Sequence, residues 1–323
     1  MTDIVEDRFA EKTTAHIRQL AGASSALREM YFFDAEHENL PANRDVDLFL
    51  EKQLTQTKGL IYKYPGRVIV LLSYTCAANC RYCERQDRVG VGLDEQGRLS
   101  ESEIQKAVEF VAQHEEINEV IFSGGDPLTH PHGLALAAQL MADIPHVRML
   151  RVHTRYPLQL PEKVDYELMQ QIADLRPTFY LSLHVDHPDE LTPATESVIA
   201  RLRRLGAILL CQSVFLKGIN DDVEVLVRLF TRLAELGVRP YYLYHCHPIP
   251  TTLRFVMSLE EEIAIMSRLR ERLSGIACPQ HLFEMRHTTG KLVVPTDHWN
   301  VDLAEVRDFE KNTIDVAKSA LEV

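Results

Sequence analysis

Cys76, Cys80 and Cys83 put three thiols into the eight residues Cys76-Ala77-Ala78-Asn79-Cys80-Arg81-Tyr82-Cys83, just after the apolar run Arg67-Val68-Ile69-Val70-Leu71-Leu72-Ser73-Tyr74. Core packing does not call for three cysteines on one loop. Their thiolates can converge on a thiophilic metal centre, and with no fourth cysteine nearby one coordination position stays open. A structural zinc loop is the rival chemistry, but such sites usually pair two closely spaced ligand couples, and no second couple follows. Cys211, Cys246 and Cys278 stand apart from one another and read as small buried hydrophobes rather than as a disulfide framework.

The next group with chemical potential is Ser123-Gly124-Gly125-Asp126, where two glycines let the backbone approach a ligand closely and offer free N–H groups beside a carboxylate. Further along come His153 with Arg155, then His184, Gln212 with Ser213, and His245-Cys246-His247. Each group closes a short β-rich run. The runs cover 67–74, 117–122, 147–154, 177–185, 207–214 and 238–244.

Amphipathic segments lie between and after them, at 100–114 behind a Ser-x-x-Glu start at Ser100, and at 132–143, 164–174, 194–205, 222–236 and 258–273. Strand and helix alternating at a repeat of about thirty residues is the pattern of a parallel sheet built from βαβ units. Apolar stretches such as Ala207-Ile208-Leu209-Leu210 imply strands buried on both faces. The fold class expected is α/β, a partial (β/α)6 barrel of the TIM type, in which chemistry collects at the C-terminal ends of the strands. An open doubly wound sheet would carry a glycine-rich first turn, where this chain carries cysteines. Residues 1–60 read as an N-terminal helical extension, including patterns at 15–20 and 46–54. Residues 61–296 read as the barrel with its sites, and 297–323 as a C-terminal helical tail.

Composition narrows the partners. The charges, Lys+Arg 35 against Asp+Glu 47, leave a net of −12, which argues against a nucleic-acid footprint. Apolar residues are 46% of the chain, yet no run approaches the ~20 consecutive apolar residues of a membrane span. The acidic start Met1-Thr2-Asp3-Ile4-Val5-Glu6-Asp7 has no export or import signal, so a cytoplasmic location and a small-molecule substrate are expected.

The cysteine spacing and the glycine turn one unit later resemble the radical S-adenosylmethionine (SAM) superfamily. Within it the chain resembles the lysine 2,3-aminomutase family. The residues that carry this second likeness are Tyr64-Pro65-Gly66-Arg67, Cys83-Glu84-Arg85, Ser123-Gly124-Gly125-Asp126, the stretch from His184 to Pro188, the stretch from Gln212 to Asp221, and Arg239-Pro240-Tyr241-Tyr242-Leu243-Tyr244. The likeness runs from about residue 60 to about residue 296. It implies a radical SAM barrel in which Cys76, Cys80 and Cys83 hold a [4Fe–4S] cluster and SAM fills the open position. The turn Ser123, Gly124, Gly125 and Asp126 would then bind the amino group of the methionine part.

The same likeness implies pyridoxal phosphate anchored by Lys291, its phosphate held by Arg67 and Gln212 with Lys63 in place of a family arginine. His184 and Tyr244 are implied as further cofactor contacts, and Arg85 as the grip on the substrate α-carboxylate. The activity implied is an amino acid 2,3-aminomutase, with an electron donor such as flavodoxin or ferredoxin. Other radical outcomes on the same two cofactors (oxidation, deamination or epimerisation) and a non-catalytic iron–sulfur sensor are the alternatives.

Departures from the family bear on the substrate. Lysine-specific members place two acids at the distal ammonium group, and here His247 stands at the first position and Glu284 at the second. Glu284 leans towards a basic amino acid, while His247 and Arg286 leave neutral and acidic ones open. The loop 286–290 lacks the family's run of glycines, and the zinc-binding cysteines of longer relatives are missing after residue 278. The chain therefore resembles the compact members, with a homodimer as the default oligomer.

Overall fold

The computed structural model describes residues 9–34, 38, 47, 50–89, 97–284, 290–298, 305–307 and 313–315. Two short helices come first, α1 (Ala15–Ala21) and α2 (Ser25–Tyr31). Each is capped by a hydroxyl, Thr14 accepting from the Ile17 N–H and Ser24 from the Leu27 N–H. A single turn, α3 (Glu51–Leu54), leads into the hairpin strands β1 (Thr55–Thr57) and β2 (Leu60–Tyr64).

The alternating units follow: β3 (Arg67–Ser73), α4 (Glu101–Ala112), β4 (Glu119–Gly124), α5 (Pro131–Ala142), β5 (Met149–Thr154), the short α6 (Tyr156–Gln159), α7 (Tyr166–Ala173) and β6 (Thr178–His184). They continue with α8 (Pro193–Arg204), β7 (Ile208–Val214), α9 (Val223–Glu235), β8 (Arg239–Tyr244), α10 (Leu259–Arg272) and β9 (Gln280–Glu284). The Ser-x-x-Glu start of α4 is a complete capping box between Ser100 and Glu103. Strands β3 to β9 pair in parallel, each with the next.

The six expected strands are β3 to β8, and the partial (β/α)6 barrel of the α/β class is the architecture found. The sheet is wider than expected. β9 adds a further parallel strand, while β1 and β2 on one edge and β10 (Lys291–Val293) on the other pair antiparallel, in the order β1 to β10. The expected boundary at residue 60/61 therefore falls inside β2. Of the pattern at 46–54, only Glu51–Leu54 is helical among the described residues. The tail expected to be helical instead carries β11 (Glu305–Arg307) and β12 (Thr313–Asp315), paired antiparallel. Three-residue strands leave too little periodicity to be told from a helix in the sequence.

One apolar core lies between sheet and helices, for example Val70, Phe122, Leu150, Leu181 and Leu209 against Ile104, Leu134, Ile199 and Leu229. A second, smaller cluster joins Ile17, Leu27, Met30 and Tyr31 of the N-terminal helices to Ala78 of the cysteine loop and to Phe255. The cysteine loop has no helix or strand of its own, so its position depends on that packing. Cys211, Cys246 and Cys278 are free and buried, as expected of small hydrophobes. Among the described residues no helix is long and apolar enough to cross a membrane.

Candidate active site

A cavity of about 290 Å³ opens at the C-terminal ends of the strands. It is lined by Cys76, Cys80, Cys83, the turn 123–126, His153, Arg155, His184, Gln212, Arg67, Lys63, Tyr244, Arg85, His247, Glu284 and Lys291, whereas Ser213, His245 and Cys246 do not line it. Arg286 and the loop 286–289 lie outside the described residues.

At one end stand the three thiols, all free and half-buried. Burial pushes each thiol above its ordinary range, Cys83 to about 12; neighbouring thiols push Cys76 and Cys83 the same way, while Arg155 opposes the rise at Cys80. Three mutually repelling thiolates in a desolvated loop are a poor arrangement without a cation, and a good one around iron. Arg155, at the end of β5, brings positive charge beside them. Its guanidinium pairs with Asp186 and Glu190, donates to the Tyr82 hydroxyl, and lies 3.0 Å from the Tyr31 hydroxyl. Gln159 reaches the loop as well, its amide donating to the Ala78 carbonyl at 3.1 Å and to the Cys80 sulfur at 3.7 Å.

The glycine turn does something other than expected. Its amides are not free, since the Gly125 N–H donates to the Ser73 carbonyl at 2.5 Å and the Asp126 N–H to the Thr75 carbonyl at 2.8 Å. A Cβ on Gly124 would collide with the Ser73 carbonyl oxygen, and its φ of +127° is open only to glycine. The glycines thus serve the close approach of β4 to the end of β3.

The Asp126 carboxylate is also engaged. It accepts from the Thr154 hydroxyl at 2.8 Å and from the N–H groups of Leu128, Arg155 and Tyr156 at 3.0, 2.9 and 3.0 Å. Burial still raises its pKa to about 6 against those bonds. Asp126 therefore ties the ends of β4 and β5 while the turn 123–126 lines the cavity.

At the other end the register of β9 and β10 sets the chemistry. Lys291 is the direct antiparallel partner of Glu284, which puts the two side chains on one face. The Lys291 ammonium lies 3.3 Å from Glu284 and donates to the Tyr244 hydroxyl at 2.8 Å. Lys63 pairs with the second oxygen of Glu284 at 3.2 Å. Burial disfavours both charges, yet Glu284 and Tyr244 hold Lys291 well above the usual lysine range, and Lys291 and Lys63 hold Glu284 below the usual carboxylate range.

Arg67 stacks 4.2 Å over the Tyr64 ring. Gln212 accepts from the Tyr241 hydroxyl at 2.9 Å, which leaves its amide N–H groups for a ligand. Midway, His153 and His184 meet edge to face at 5.5 Å, and the Nε2 atom of each is buried without a hydrogen-bond partner. Burial depresses both imidazoles, His184 to about 4, so both are neutral near pH 7.

Arg85 and His247 are joined by a residue to which the sequence assigned no role. Glu84 lies 3.0 Å from His247 Nδ1 and 3.1 Å from Arg85. Against burial, Arg85 and His247 hold Glu84 below the usual carboxylate range. The other edge of Arg85 is taken by Glu51, from α3, at 2.7 Å. Nothing in spacing along the chain points to Glu51, 34 residues from its partner. His153 and Arg155 had a signal, their position at the end of a parallel strand.

The donor set fits the groups implied by the family resemblance. Three thiols share one loop, partnerless imidazole nitrogens line the middle, and an amine flanked by a phenol, an acid and two further cations lines the far end.

The signature of the Radical SAM superfamily matches residues 70–248. The L-lysine 2,3-aminomutase of Escherichia coli (strain K12) is 36% identical over 232 residues, which are 72% of this chain and 67% of that protein. That of Fusobacterium nucleatum is 31% identical over 306 residues, 89% of this chain and 71% of that one. The chain spans between 58% and 78% of the length of such relatives. Among solved structures, a radical SAM methyltransferase from Sphaerobacter thermophilus aligns with a TM-score of 0.49 at 17% identity, over 69% of this chain and 68% of that chain.

Proposed function

Because this chain belongs to the radical SAM superfamily and, within it, to the L-lysine 2,3-aminomutase family, we propose that it moves the α-amino group of a free amino acid to the β-carbon, with pyridoxal phosphate anchored at Lys291. The observation that carries this reading is that one cavity holds both the cysteine triad and a lysine paired with Tyr244 and Glu284. A radical made at one end must reach a C–H bond at the other without meeting water. Bound there, the reduced cluster supplies the electron for reductive cleavage of SAM, and pyridoxal phosphate supplies a conjugated system over which an unpaired electron spreads.

The chain's own residues do the rest. Cys76, Cys80 and Cys83 would hold the cluster and leave one position open for SAM, and the turn 123–126 and His184, which line the same cavity, would contact its methionine part. Being neutral, His184 and His153 offer a nitrogen without adding charge. Arg67, Lys63 and Gln212 supply donors for a phosphate. Tyr244 and Glu284 hold the Lys291 ammonium in place, and the Glu284 carboxylate, 3.3 Å away, is the base placed to take its proton. Arg85 receives the substrate α-carboxylate.

For the distal end of the substrate we favour a cationic side chain. His247 replaces an acid, but Glu84 lies against it and faces the same cavity as Glu284, so two carboxylates are again present. A low-potential flavin or iron–sulfur protein would deliver the electron.

The test is product analysis under anaerobic conditions with SAM, a reductant and a panel of amino acids. A β-amino acid from one basic member, together with 5′-deoxyadenosine, is the expected result. Formation of 5′-deoxyadenosine without any β-amino acid would overturn the aminomutase reading, and absence of both would overturn the enzymatic one.

A further inference from the structure

Arg81 lies inside the cysteine motif itself, between Cys80 and Cys83, and is among the largest fully buried side chains, 1% exposed. A surface arginine needs no explanation, but one buried beside three thiols does. Its partner is Glu38, from the N-terminal extension. The Arg81 Nε lies 3.1 and 3.0 Å from the two Glu38 carboxylate oxygens, and its Nη2 donates to the same carboxylate. Arg254, beyond β8, also donates to Glu38, at 3.3 Å, and pairs with Glu29 at 2.7 Å. The carboxylate thus bridges a cation from the cysteine loop and one from the barrel.

The rest of the cysteine loop is held by the same extension, mostly through its main chain. Arg81 Nη1 donates to the Phe9 carbonyl at 3.0 Å, the Asn79 amide side chain to the Ala10 carbonyl at 2.9 Å, and the Asn79 N–H to the Lys12 carbonyl at 2.8 Å. The Arg81 N–H donates to the Met30 carbonyl at 2.8 Å. In return the Lys12 ammonium donates to the Cys76 carbonyl at 2.7 Å. These bonds reach the loop at Cys76, Asn79 and Arg81, so they set where the three sulfurs stand relative to one another.

We propose that residues 9–34 together with Glu38 are a clamp that shapes the cluster-binding loop, with Glu38 as its positioning residue acting through Arg81. None of the clamp residues is a ligand. Their contribution is to hold the irregular loop that carries the three thiols in one shape, so that the cost of ordering it is met during folding rather than on cluster binding. The proposal rests on the cluster being held by Cys76, Cys80 and Cys83.

The experiment uses the full chain, reconstituted anaerobically with iron and sulfide. Iron release to a chelator is measured well below the melting temperature, alongside the reduced-cluster EPR signal and the melting of the cluster-free chain. Glu38→Gln should release iron about 10- to 100-fold faster than the parent, the range over which outer-shell partners act on metal sites. Glu38→Asp should recover part of the loss.

Since Glu38→Gln leaves a buried cation short of its counter-charge, the double variant Arg81→Met with Glu38→Leu separates clamp from stability. An apolar pair often replaces a buried ion pair without loss of stability. This variant should melt like the parent and still lose iron quickly. Parent-like iron retention in Glu38→Gln, or in a double variant that melts like the parent, overturns the proposal. A parent chain that takes up no cluster would instead sink the cluster assignment, and the proposal with it.

Discussion

The two ends of the cavity are built by opposite means. At the cysteine end an irregular loop is fixed from outside, by main-chain carbonyls of residues 9, 10, 12 and 30 and by the buried ions Arg81, Glu38 and Arg155. At the lysine end the side chains are fixed by sheet register, Lys291 opposite Glu284 on β9 and β10, with Tyr244 one strand away. A loop strapped by side chains can be loosened one contact at a time. A register cannot shift by one residue without turning every side chain to the other face. Damage at the first end should therefore be graded and local, whereas damage at the second should be all or none.

The largest effects test whether the ends are separable. Cys80→Ala should remove 5′-deoxyadenosine formation to background and leave the visible absorbance of pyridoxal phosphate at Lys291 unchanged. Lys291→Ala should do the reverse, abolishing that absorbance and lowering β-amino acid formation by at least ~10²–10⁴-fold, while the iron content stays at the parent level. If either variant loses both cofactors, the ends are coupled and the contrast fails.

A smaller effect concerns the seam between them, where Asp126 and His184 carry proton linkage of opposite sign. The Asp126 pKa rises from 3.8 to about 6 on folding. The folded state then binds more protons across that window, so its contribution to stability is present below about pH 4 and is lost as pH rises to about 6. The His184 pKa falls from 6.5 to about 4. Its contribution is complete above about pH 6.5 and is lost as pH falls towards 4. Each slope amounts to roughly 3 kcal/mol at most, from about two pKa units at 1.36 kcal/mol per unit. Melting temperatures of the cluster-free chain from pH 4 to 7 should therefore climb more steeply with pH in Asp126→Asn and less steeply in His184→Gln. Parallel profiles for parent and variants would show that neither group titrates differently on folding.

What could be read from the sequence follows the same division. The cysteine triad is contiguous, and the apolar strands repeat with their helices, so both the ligand set and β3 to β8 are visible to local patterns. Lys291 is found by resemblance, but its partners are not. Glu284 and Tyr244 reach it through strand pairing, and β10 is three residues long, too short to announce itself. Glu84 and Glu51 escape notice because their meaning lies in the residues they touch, His247 and Arg85, across long stretches of chain. The ties of Asp126 are hidden for the same reason. Its acceptors are taken by residues 154 to 156, which only the neighbouring strand brings near.

The smallest effect lies where the two ends meet the substrate. Glu51 follows Leu50, whose φ of +56° makes it the only residue other than glycine in left-handed backbone among the described residues, and its carboxylate lies on the same guanidinium that should receive the substrate carboxylate. The Nη2 and Nε of Arg85 lie 2.7 and 3.4 Å from Glu51, and Nη1 turns to Glu84. A substrate carboxylate must then compete with a resident one. Glu51→Gln keeps the shape and removes the charge, and Arg88, which also pairs with Glu51 at 3.0 Å, loses only a partly exposed contact. The KM for the amino acid should fall about two- to five-fold, the equivalent of ~0.4–1 kcal/mol for one such pair, with kcat unchanged. A KM that rises instead would mean that Glu51 aims Arg85 at the substrate rather than competing with it. An unchanged KM in Arg85→Lys would remove Arg85 from the binding site altogether.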